Sequence, residues 1–228
     1  MQEHYSQEIE RLKTNLIKMA SLVDDQAERV FKALETGDIE LCKGVKAKDL
    51  EIDAYDNLIT TQCENIFALF QPVAVDLRFV ISSLMINNQL ERCGDIAVNI
   101  SQRVKKTSGF HFLIIESGIL EMGQKARLML KNSIDSFIQS NNELASEVIL
   151  NDEEVDKLNK HCFNYLVSKM QTDNSLIEQC THLIVLTRNI ERLADHATNI
   201  AENLVFYVEA RIIAHQRKLQ KPPKEETL

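Results

Sequence analysis

Glycine and proline are scarce, 6 and 3 in 228 residues, where average usage would give about 27 together. So few backbone breakers exclude a turn-rich sandwich or barrel and favour long helices. Long apolar runs are also missing. Phe110 to Ile115, interrupted by His111, is among the longest, far short of the roughly 18 residues a membrane span needs. No membrane insertion is expected. The five cysteines, Cys42, Cys63, Cys93, Cys162 and Cys180, are odd in number and form no C-x-x-C pair. Reduced thiols are expected, not a disulfide framework or zinc knuckle. Positive charge is in deficit, with 26 Lys and Arg against 34 Asp and Glu, net −8. That balance speaks against nucleic-acid binding. The start, Met1-Gln2-Glu3-His4-Tyr5, lacks the charged-then-apolar pattern of a secretory signal. A cytoplasmic location is expected, with docking onto a membrane protein left open.

What is present is helical periodicity. Ile9, Leu12, Leu16, Met19, Val23, Ala27, Val30 and Leu34 step by three and four, one apolar stripe on a long helix. Thr36-Gly37-Asp38 stops it, with Asp38 as N-cap of the next helix. Val45, Ile52, Ile59 and Ile66 recur every seven residues, a bundle seam. Gln71-Pro72 ends that helix, and Pro72 is placed to open a third. Thr107-Ser108-Gly109 reads as a linker. A fourth helix is expected over 115–137, a fifth over 143–170, and a sixth starting at Asp173-Asn174.

The pattern occurs twice. The third and sixth helices share an apolar register at an offset of 100, and the second and fifth at an offset of 103. The expected fold is all-α: two tandem three-helix bundles, over 1–109 and 110–215. A polar tail over 216–228 is expected to fray.

The chemistry-bearing feature is duplicated as well. Residues 91–100 read ERCGDIAVNI and residues 191–200 read ERLADHATNI. Apolar periodicity accounts for Ala97, Ile100, Ala197 and Ile200. It does not account for Glu91, Asp95 and Asn99, or Glu191, Asp195 and Asn199. Each trio lies at i, i+4 and i+8, one strip of helix beside the apolar seam. The preceding helices carry D-x-x-[I/V]-D at Asp49/Asp53 and Asp152/Asp156. Those two pairs and Glu91/Asp95 and Glu191/Asp195 are the chain's 4 cases of an acidic residue followed four later by Asp. If the helices of a repeat are neighbours, four carboxylates converge. Two carboxylates about 5 Å apart repel by roughly 3 kcal/mol at an effective dielectric near 20. Protons, arginines or cations must offset that. Oxygen donors without Cys or paired His suit Mg²⁺, Ca²⁺, Mn²⁺ or iron, and Zn²⁺ stays a candidate. One metal site per repeat is the expectation. The competing reading is a solvated face in which Arg92 pairs with Asp95 and Arg192 with Asp195. His196 is a candidate ligand or supporting partner, although Ile96 stands at the matching place.

FQPVAVDLR over 70–78, then LERCGDIAVNI and IERLADHATNI, together with the doubled D-x-x-[I/V]-D, resemble the PhoU family over nearly all of 1–215. The resemblance implies paired three-helix bundles with metal clusters and commonly a homodimer. It implies a cytoplasmic negative regulator of phosphate uptake and of the phosphate-starvation response. Its implied partners are the ATPase of a phosphate ABC transporter and a membrane sensor histidine kinase. By motif, Glu91, Asp95, Glu191 and Asp195 become the main ligands, completed by Asp49, Asp53, Asp152 and Asp156. Ile96 and Gln102 depart from the second repeat, where His196 and Glu202 stand, so the first site is expected to have fewer ligands.

Two other readings differ in kind. A carboxylate-bridged di-iron enzyme would use Glu-x-x-His. Three residues before each of the six histidines stand Met1, Ser108, Leu158, Gln179, Leu193 and Ile212, so that pattern is missing. No P-loop, G-x-S-x-G or Cys/His nucleophile signature appears either, and no enzyme is expected. The remaining alternative is an accessory protein of a different phosphate permease.

Overall fold

Residues 2–211 are described in a computed structural model. The tail over 216–228 lies outside them. The first three long helices are α1 (Gln2–Thr36), α2 (Val45–Phe70) and α3 (Ala74–Lys106). A short α4 (His111–Glu116) precedes α5 (Ile119–Gln139), α6 (Asn142–Thr172) and α7 (Ile177–Glu209). No strand occurs among the described residues.

The apolar stripes decide the packing. Leu12, Leu16, Met19, Val23, Ala27, Val30 and Leu34 of α1 are all buried, as are Val45, Ile52, Ile59 and Ile66 of α2. Each of α1, α2 and α3 packs on the other two, and so do α5, α6 and α7. The bundles join along α3 against α7, flanked by α1 against α5. Burying a stripe on every helix, rather than local propensity, is what stabilises helices of this length.

The central seam is antiparallel. Arg78 Nε donates to the Tyr207 carbonyl at 3.4 Å, Gln89 Oε1 lies 2.7 Å from His196 Nδ1, and Arg103 Nη1 lies 3.0 Å from His182 Nδ1. Numbers rise along α3 as they fall along α7. The offset of 100 therefore maps this register onto itself, an internal pseudo-two-fold. Under it the Gln89–His196 pair becomes Ile96 with Asn189, both buried. Asn189 Nδ2 turns back to the Val185 carbonyl at 3.0 Å.

The connections differ from expectation in three places. The helix expected over 115–137 is broken at Ser117-Gly118. Gly118 takes a left-handed φ of 82°, a conformation glycine adopts without steric cost. Ahead of it Leu113 and Ile114 bury themselves and form α4, so among the described residues seven α-helices stand where six were expected. Asp38 and Asp173 cap short 3₁₀ turns rather than the following long helices, accepting from Glu40 N and Ser175 N at 2.9 Å each. Finally, α3 opens at Ala74, not Pro72. Gln71 and Ala74 take left-handed φ of 49° and 50°, at a cost on the order of 1 kcal/mol each.

Candidate metal centre

In the first repeat α2 and α3 run antiparallel with their carboxylates facing. The level is set by two contacts. Asn87 Nδ2 donates to Asp56 Oδ1 at 2.6 Å. A Cβ on Gly94 would stand 3.0 Å from Asp49 Oδ1 and 3.1 Å from Ile52 Cδ1. Asp49 and Asp56 thus lie toward opposite ends of a strip with Asp53 between them on α2, while Glu91 and Asp95 look across from α3. The missing side chain at Gly94 lets Asp49 settle onto the α3 backbone. From below, the fully buried Gln26 of α1 donates Nε2 to the Val45 carbonyl at 3.0 Å and to Asp49 Oδ1 at 3.4 Å.

The electrostatics match that geometry. Burial pushes the Asp49 carboxyl above its ordinary value, the Gln26 bond opposes this, and Asp95 and Asp53 push it higher. Burial raises Glu91 too, followed by Asp95, with Asp56 and Asp53 adding and Arg92 opposing. Burial also raises Asp56, against the hydrogen bond from Asn87. Each of these carboxylates is held where its charge is disfavoured, which a cation would reverse.

In the second repeat, Thr198 Oγ1 donates to Asp152 Oδ1 at 3.3 Å, so a hydroxyl from α7 does the holding. Asp156 and Glu191 line a groove of ≈ 820 Å³ between α6 and α7, with Asn159, Phe163, Val185 and Arg188. Arg188 Nη1 pairs with Glu191 Oε2 at 2.7 Å.

Most of the sequence-derived residues meet in these strips. Asp49 feels Asp95 and Asp53, Glu91 feels Asp95, Asp56 and Asp53, and Asp156 and Glu191 line the groove. Arg92 pairs with Glu91 at 3.4 Å, where the competing solvated-face reading had Asp95. Asn99 is exposed on α3, one turn after Asp95. Asn199 turns to the central seam, donating Nδ2 to Gln89 Oε1 at 3.2 Å. His196 shares that acceptor, which accounts for Ile96 at the matching place: it is a seam position. Spacing did not expose Asp56, Asn87, Gln26 or Gly94. Asp56 lies seven residues after Asp49, outside an i, i+4 search, and its repeat counterpart is Asn159.

The donor set, carboxylate oxygens without Cys or paired His, is of the kind a hard cation takes. Among the described residues, no three His, Cys, Asp or Glu groups stand close enough to hold one ion as the side chains are placed.

A family model described as the PhoU domain matches twice, over 16–104 and 119–204. The chain belongs to the PhoU family. The two matches fall on α1–α3 and α5–α7, the same division the helix packing makes. A phosphate-specific transport system accessory protein PhoU homolog of Caulobacter vibrioides is 34% identical over 222 residues, covering 95% of this chain and 96% of that protein. The Clostridium acetobutylicum homolog is 32% identical over 205 residues, covering 90% and 94%. The crystal structure of PhoU from Pseudomonas aeruginosa superposes with a TM-score of 0.85 at 29% identity, covering 91% of this chain and 100% of that one. PhoU from Streptococcus pneumoniae, described as a phosphate transport system regulatory protein, gives 0.81 at 25%, covering 92% and 99%.

His196 makes the seam pH-sensitive. Burial first, then Arg192 and Arg92, push its pKa down to about 4, below the ordinary value near 6.5. The folded state prefers the neutral ring, so stability is unaffected above pH ~6.5 and is lost as pH falls toward ~4. The raised carboxylates act oppositely in the same window, because protonation relieves their repulsion. The comparison is therefore between wild type and His196→Gln, which keeps a donor for Gln89 but does not titrate. From pH 7 to 4 the wild type should lose about 1–3 kcal/mol more than the variant. Parallel thermal-melt profiles would contradict this.

Proposed function

We propose that the chain is a non-catalytic, cytoplasmic negative regulator of phosphate uptake and the phosphate-starvation response. In this reading it links the ATPase of a phosphate ABC transporter to a sensor histidine kinase, as a homodimer with a metal site on each repeat. The observation that carries it is the family match on both repeats, with relatives named as accessory proteins of phosphate-specific transport. No helix among the described residues is long and apolar enough to cross a membrane, so contact with the transporter would come through its surfaces.

The facing carboxylates support the metal part of the reading. Asp49, Asp53, Glu91 and Asp95 would hold cations in the first repeat, and Asp152, Asp156, Glu191 and Asp195 in the second. A bound Mg²⁺, Mn²⁺, Zn²⁺ or iron ion would supply charge neutralisation and coordination. The chain's own groups hold the strips in place: Gln26 fixes Asp49, Asn87 fixes Asp56, and Thr198 fixes Asp152.

The test is deletion of the gene in its host, read with a phosphate-starvation reporter in phosphate-rich medium. Reporter output should rise several-fold and return to baseline with wild type but not with the Asp95→Asn, Asp195→Asn pair. Restoration by both would demote the strips to structure. No rise on deletion would favour an accessory protein of another permease.

A further inference from the structure

We propose that the end of the molecule around FQPVAVDLR is a docking site for a Lys or Arg side chain carried on an apolar stretch of a partner protein, the cation seated against Tyr5, Phe70 and Asp76. This rests on the accessory-protein reading only for the partner's being a protein, and not on its metal part.

The first observation is what the α2–α3 connection exposes. Leu69, Val73, Val75 and Leu77 are 70%, 73%, 53% and 36% exposed. Turning one antiparallel helix into the next does not demand this. The equivalent α6–α7 connection reads Asp173-Asn174-Ser175-Leu176, with Asp173 accepting from Ser175 and Leu176 packed against the core. An exposed apolar patch rimmed by polar groups marks a contact surface. The backbone there is strained as well. Gln71 and Ala74, neither of them glycine, hold left-handed φ on either side of Pro72-Val73. Such strain gathers at binding sites and switches.

The second observation fixes the chemistry of the occupant. Beside the patch lies a hollow of ≈ 380 Å³ with Tyr5, Leu69, Phe70, Pro72, Val73 and Asp76 on its walls. The Tyr5 and Phe70 rings meet at 5.4 Å between centroids, and aromatic faces of this kind take both the stem and the charge of a Lys or Arg. Asp76 supplies the counter-charge. Arg78, the next cation along α3, turns away to α7, where its Nε donates to the Tyr207 carbonyl. The start of α3 draws on part of the Asp76 charge. The end of α2 offsets that, because it closes on the same hollow with its last carbonyls and has no basic residue in its last turn.

The third observation is an unmet polar group. The buried Tyr5 hydroxyl completes no hydrogen bond. Burial first, then the Asp76 carboxylate, push its pKa up to about 12. An incoming N–H donor would satisfy the Tyr5 oxygen and neutralise Asp76 together. An acidic occupant would be repelled by Asp76 and would leave that oxygen unmet.

The experiment is a methyl-NMR titration of the full chain, isotope-labelled at leucine and valine, with the capped tripeptide Leu-Arg-Leu and with Leu-Glu-Leu as control. Leu-Arg-Leu should give saturable shifts at Leu69, Val73 and Val75, and Leu-Glu-Leu should not bind. Asp76→Asn should weaken Leu-Arg-Leu about fivefold, the scale of one partly exposed ion pair. Val73→Ser, at a residue that contributes nothing to the core, should weaken it about threefold. No saturable shift with Leu-Arg-Leu, equal binding of the two peptides, or unchanged binding by Asp76→Asn would overturn the inference. So would a patch already covered, by a second copy (shifts on diluting the free protein) or by the chain's own residues 212–228 (shifts on deleting them). Thermal melts of each variant separate lost contacts from lost fold. The titration uses neither metal nor reporter strain, so its failure leaves the regulatory reading standing.

Discussion

Gly94→Ala should lower the melting temperature by up to about 8 °C and weaken cation binding in the first repeat at least tenfold. Two effects compete. Alanine in a helix interior is favoured over glycine by about 1 kcal/mol. The added methyl, however, would stand 3.0 Å from Asp49 Oδ1, 3.1 Å from Ile52 Cδ1 and 3.4 Å from Gln26 Oε1. None of the three yields easily. Ile52 and Gln26 are fully buried, and Asp49 is held by Gln26. Overpacking of this kind costs typically 1–3 kcal/mol. Each kcal/mol is worth about 2–4 °C in a chain of this size. The displaced group is a proposed ligand, so the binding loss should exceed the stability loss. Ala194→Gly in the other repeat is the control. It should cost about 1 kcal/mol through helix propensity and leave binding alone. A Gly94→Ala protein that melts higher and binds normally would mean α2 and α3 are not locked together at this point.

The helices were legible because each carries an unbroken apolar stripe. The repeat was legible because ERCGDIAVNI and ERLADHATNI preserve polar letters that packing does not demand. The breaks were less so. α4 exists because Gly118 turns left-handed and lets Leu113 and Ile114 bury, an outcome a continuous 3.6-residue pattern conceals. The site was legible where a carboxylate repeats at i+4 on both halves. It was illegible at Asp56, whose importance depends on being level with Asn87 across an antiparallel helix pair. It was equally hidden at Gln26, which acts from a third helix. His196 looked like part of a metal motif by adjacency to Asp195. One residue's rotation around a helix is about 100°, enough to move it from the strip to the α3–α7 seam, where it meets Gln89. The expectation that the first site has fewer ligands rested on Ile96 and Gln102 against His196 and Glu202. The geometry gives Ile96 a seam role instead.

The central claim is that these strips hold metal and that regulation depends on it. Its most direct test is elemental analysis of the full chain purified from its own host, beside the Asp95→Asn, Asp195→Asn protein prepared identically. Removing one charged ligand from each strip takes away a carboxylate from sites held together by mutual neutralisation. Losses of tenfold or more in affinity are ordinary even for groups one step removed from a metal. The account predicts at least one bound ion per chain in wild type and loss of most of it in the variant, with helical content and melting behaviour retained. Equal metal content in the two proteins would contradict it.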